Sequence, residues 1–152
     1  MSSNREVFVS GSPLIVPVTV PTALVVKKGD MLIGDLSSGV WGTIAIADAA
    51  GEKPVLIAMD EHEASDVSGD VISCYLVSND AVYNYLVDNA DYASAITFGD
   101  RFEITGEQQL GLVTTDNIGC AMAVEAKAAV TTGTARYCNV VFMQPKQFRA
   151  NT

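Results

Sequence analysis

Histidine is almost missing: one imidazole, His62, stands in 152 residues. Multi-histidine metal centres are therefore excluded, and any imidazole acid–base chemistry rests on that one ring. Cysteine is sparse and odd in number: Cys74, Cys120 and Cys138. No pair has CxxC spacing and each lies in an apolar, strand-like run. They read as buried free thiols, which points to assembly in a reducing cytoplasm. Basic residues number 9 against 18 acidic ones, for a net charge of −9. No basic cluster exceeds Lys27-Lys28, so the chain lacks the cations to neutralise phosphates or an anionic bilayer; neither nucleic acid nor membrane is expected as a partner. No apolar run approaches the ~20 residues of a membrane-spanning helix, and the first residues lack a signal-peptide layout. No cofactor motif or nucleophile motif occurs, so no enzyme is expected.

Apolar residues, by contrast, are abundant. They make up 49% of the chain, against 18% charged. That excess over what a small soluble domain hides by itself suggests apolar surface covered by copies of the chain or by a partner. The length suits one domain, with or without an arm.

The pattern is β. Arg101 to Thr105 alternates strictly, with Phe102 and Ile104 on one face. Leu110 to Val113 follows a polar turn at Gly106 to Gln109. Cys120, Met122 and Val124 alternate again, as do Cys138, Val140 and Phe142 in the run Arg136 to Met143. Short period-two runs divided by glycine and polar turns predict antiparallel strands with one face in a core. Further strands are expected at 23–26, 31–34, 43–47, 55–59 and 70–78. One short helix is expected near 80–89, from Val82, Tyr85, Leu86 and Asn89 at helical spacing behind Ser78-Asn79-Asp80.

Residues 1–22 stand apart. Pro13, Pro17 and Pro21 punctuate an apolar run, which forbids a helix interior and places the segment at an edge. Two readings fit: edge strands on the chain's own core, or an extended arm lying on a neighbouring subunit. In the second reading the interface residues are Val7, Phe8, Val9, Leu14, Ile15, Val16, Pro17, Val18, Val20 and Pro21. Trp41, next to a turn, reads as a core lid or as a further interface anchor. Asp60-Glu61-His62-Glu63 is the one candidate for metal or acid–base chemistry. Adjacent strand residues point to opposite faces, so it reads chiefly as a solvated acidic edge. Tyr75, Tyr83, Tyr85 and Tyr92 crowd one region, through packing or as a lectin-like platform.

An internal echo divides the rest. Lys28-Gly29-Asp30 before one strand parallels Phe98-Gly99-Asp100 before another, and each is followed by a turn, a strand, an Ala-rich connection and a strand. The reading is one β domain over 23–152, with halves at about 23–60 and 96–143 and an insert at about 61–95. Such halves close into a small antiparallel barrel or sandwich.

The residues Gly42 to Glu52, Gly99-Asp100, Leu110 to Val113, Ala121 to Ala128, Thr132-Gly133-Thr134 and Val140 to Phe142 resemble the capsid decoration, or cement, proteins of tailed bacteriophages. The resemblance covers roughly 23–60 and 96–143. It implies a non-enzymatic protein on the outer capsid surface of the virion, made in the host cytoplasm. Its expected partners are the major capsid protein and itself, as a homotrimer. The role implied is to hold the expanded head against packaged DNA. The long apolar N-terminal segment and the insert depart from compact members. An all-β carbohydrate-binding or tail-associated adhesin module is the alternative; a small hydrolase using Asp60, His62 and Glu63 ranks below both.

Overall fold

A computed structural model describes residues 3–34, 36–37, 40–41, 44–63, 70–88, 93–113, 119–131 and 133–143. Every regular element among them is a strand. In chain order these are β1 (Phe8–Gly11), β2 (Ile15–Thr19), β3 (Met31–Ile33), β4 (Leu36–Ser37), β5 (Val40–Trp41), β6 (Ala45–Ile46) and β7 (Leu56–Ala58). Then come β8 (Val71–Leu76), β9 (Ala81–Val87), β10 (Arg101–Gly106), β11 (Gln109–Leu112), β12 (Ala121–Ala123) and β13 (Arg136–Phe142).

One sheet closes on itself. The order β9-β13-β12-β10-β11 is antiparallel at each step, and β11 returns to β9 in parallel through Gln109↔Leu86 and Leu110↔Val87. The result is a five-stranded barrel, with β1 added along the remaining length of β9. A second sheet, β2-β8-β7-β3-β6, does not close on itself among the described residues, and β4 and β5 form a hairpin between two of its strands.

The two sheets are the same construction made twice. The turn amides match: Lys27 and Thr97 donate to Asp30 and Asp100 carboxylates, at 2.9 and 2.8 Å. Gly29 and Gly99 both sit at φ 96°, a left-handed conformation that glycine adopts without a Cβ clash. Val26 bridges His62 as Ile96 bridges Lys127. The Ser73 amide donates to Asp60 as the Asn139 amide donates to Glu125, each at 2.8 Å. The pairings Val16↔Cys74 and Tyr83↔Val140 place β2 opposite β8 as β9 stands opposite β13. The unit therefore runs from β2 to β8 and again from β9 to β13. The stretch set aside as an insert, 61–95, supplies the last strand of the first unit and the first strand of the second.

The expected helix near 80–89 is instead β9, with residue 89 outside the described residues. Its burial alternates strictly: Ala81, Tyr83, Tyr85 and Val87 face inward. Tyrosine and valine suit a pleated, half-buried surface, and that period outweighs the helical spacing of Val82, Tyr85 and Leu86. Asn79-Asp80 forms the turn into β9 rather than a helix cap.

Burial on both faces explains the second sheet's unbroken apolar runs. The paired Met31 and Ile57 face the barrel's core cluster, while the paired Leu32 and Leu56 face a second one with Val18, Val20 and Ile72. A chain of rings ties the parts together. Phe8 stacks on Tyr75 at 5.3 Å, Tyr75 meets Tyr83 at 5.8 Å, and Phe142 meets Tyr83 and Tyr85 at 5.9 and 5.7 Å. The Tyr85 hydroxyl then donates to the Gly29 carbonyl at 2.9 Å, joining the barrel to the first unit's turn.

Candidate interaction surface

The N-terminal segment is extended, and it pairs within its own chain. β1 runs antiparallel to β9 and β2 antiparallel to β8. Val7, Val18 and Val20 are buried in the chain's own core, so these three are corrected from interface to core residues. The cause is the strand period: alternate residues of an edge strand still face inward. Phe8 and Val16 are half-buried against the core. Val9, Leu14 and Ile15 are exposed, at 47, 63 and 53%, and Pro17 and Pro21 are exposed beside them. The Trp41 side chain lies outside the described residues.

The free side of β2 is defined by its register. The Leu76 amide donates to the Leu14 carbonyl and the Val20 amide to the Asp70 carbonyl, each at 2.8 Å. Antiparallel alternation then turns the backbone groups of Ile15, Pro17 and Thr19 away from β8. Pro17 thus faces its missing donor outward, where the ladder to β8 loses nothing. In the second unit the same side of β9 is filled by β1 and β11; on β2 no described strand fills it. Val71 adds to this surface opposite Thr19. Phe98, the most exposed large apolar side chain among the described residues, stands at the tip of the second Gly-Asp turn. Sequence reasoning passed over Val71 and Phe98; an aromatic ring where the first repeat carries Lys28 was the available signal for the latter.

The acidic stretch does not converge. Asp60 accepts the Ser73 amide at 2.8 Å, Glu61 and Glu63 flank Lys27 at 3.7 and 2.7 Å, and His62 turns into the interior. Among the described residues no three His, Cys, Asp or Glu side chains gather to hold a metal ion. Tyr83 and Tyr85 are buried and Tyr75 half-buried, so these rings form no exposed platform; Tyr92 lies outside the described residues. Burial pushes the Cys74 thiol up to about 12, with Asp60 adding to the effect, and the Cys138 thiol up to about 11. Neither thiol is a nucleophile near neutral pH. Around Arg5, which lies over the Tyr137 ring at 4.1 Å and donates to Asn84, the groups bind each other and fasten the N-terminus to β9 and β13. The chain matches no protein-family model and no curated protein sequence.

Proposed function

We propose that the chain is a capsid decoration protein of a tailed bacteriophage, binding the outer face of the expanded head, as a trimer, and stabilising it. The observation that supports this reading best is the edge of β2 that no described strand covers, together with exposed Val9, Leu14 and Ile15 on an all-β body. An unpaired strand edge with apolar neighbours is a surface suited to other protein. The mechanism is linkage: a protein that binds only the expanded lattice stabilises that lattice by its free energy of binding. A trimer touching several capsid subunits gains avidity without new chemistry. A net charge of −9 is compatible with a position outside the shell, away from DNA.

Deleting residues 1–21 would remove two strands and three core valines, so point changes make the cleaner test. Leu14→Lys with Ile15→Lys leaves the core in place. Each exposed side chain, if buried on the head, contributes about 1.5–3 kcal/mol. The double variant should therefore bind expanded, undecorated heads at least about a hundredfold more weakly, with an unchanged melting temperature. Undiminished occupancy on such heads, counted by electron microscopy, refutes this surface as the attachment site. Light scattering at high concentration tests the trimer.

A further inference from the structure

Comparing the two units at one internal position reveals a difference in charge. In the second unit Arg136, 6% exposed, donates through Nη1 to the carbonyls of Ser94 and Ala128 at 2.7 and 2.8 Å. Ser94 precedes the bridging Ile96 as Leu24 precedes the bridging Val26. In the first unit the Leu24 carbonyl is taken by His62, 1% exposed, whose Nδ1 lies 2.7 Å away. Asp70 occupies the place of Arg136: Val20 pairs with it through its amide as Val87 pairs with Arg136. A permanent cation thus holds the loop carbonyl in one unit and a titratable ring holds it in the other.

The ring's proton state follows from its partners. A carbonyl only accepts, so Nδ1 carries a hydrogen and the neutral ring presents a lone pair at Nε2. Among the described residues Nε2 is buried without a hydrogen-bond partner, and the Asp70 carboxylate lies 3.7 Å from it. Two acceptors face each other. Among the described residues the other charges nearby are Glu61 and Glu63 on the ring's own segment and Lys27 on the connection alongside, and these pair with one another. Asp60 is turned to the Ser73 amide.

We propose that His62 is a proton-operated clamp on the first unit. Uptake of one proton at Nε2 turns that atom into a donor and closes an ion pair to Asp70. The pair gives the first unit the fixed cation that Arg136 supplies in the second, and ties the segment at His62 to the end of β2 where Val20 meets Asp70. The edge of β2 then tightens on acidification, while the barrel does not respond.

The single histidine makes this directly measurable by imidazole nitrogen–proton NMR on the intact chain. The neutral ring should show the Nδ1–H tautomer. Asp70→Asn, at a half-exposed site, removes the carboxylate and with it the ion pair that closes the clamp. In the wild type, amide exchange protection of Val20 and Val26 should rise as the pH is lowered, with Ile96 and Lys127 unchanged; in D70N this rise disappears. His62→Gln keeps a donor for the Leu24 carbonyl and should abolish the same rise. An Nε2–H tautomer at neutral pH, or a rise in protection that persists in D70N or in H62Q, overturns the proposal.

Discussion

Gly29 and Gly99 offer a paired experiment, because the duplicated turn gives them one backbone and two environments. Both have φ 96°, so replacing either with alanine incurs the same left-handed strain, about 1–2 kcal/mol. Around Gly99 no atom of the described residues lies within 4 Å of an added Cβ. At Gly29 that atom would stand 2.7 Å from the Arg5 carbonyl oxygen and 3.0 Å from Val7 Cγ1. The N-terminal strand region must move aside, and it is held there by the Arg5 amide on the Lys28 carbonyl at 2.9 Å. Overpacking of this kind costs about 1–3 kcal/mol. Gly99→Ala is therefore expected to destabilise by about 1–2 kcal/mol and Gly29→Ala by about 2–5 kcal/mol. Urea unfolding at constant slope measures both. Removing residues 1–6 should bring the Gly29→Ala cost down towards that of Gly99→Ala, since the Arg5 clash goes with them. Equal costs in the full chain, or a difference untouched by the truncation, would refute the packing of the N-terminus on the first turn.

Phe142→Ala removes a fully buried ring shared by Tyr83 and Tyr85, and should cost about 3–5 kcal/mol, lowering the melting temperature by about 10 °C. Cys74 and Cys138 should resist a thiol reagent at pH 8 in the folded protein and react at once in denaturant, with their thiols raised to about 12 and 11. The same burial makes stability alkaline-sensitive. The unfolded chain ionises its thiols from about pH 8.5 upward, before the folded one can, so the contribution is intact below that pH and is lost as pH rises towards 11–12. Tyr85, raised by burial, adds to the loss above about pH 10. Replacing Cys74 and Cys138 with alanine should flatten the thiol part of that slope, measured by thermal melts between pH 8 and 11.

The sequence by itself determined the class of this protein and the existence of its duplication. Period-two runs, glycine-aspartate turns and prolines at an edge are local signals, written within a few residues, and they survive without knowledge of neighbours. Tertiary structure alone decided three things. Ala81 to Val87 carries both a helical and a strand period, and only pairing with β13 and β1 selects the strand. The repeat boundary falls between β8 and β9 because the shared register spans residues distant in the chain, which no local echo records. Last, the N-terminal valines look alike in sequence, yet Val7, Val18 and Val20 are core while Val9 is exposed. Which side of an edge strand meets water depends on what lies across the sheet. The edge of β9 is covered by β1 and β11, whereas among the described residues no strand covers that of β2.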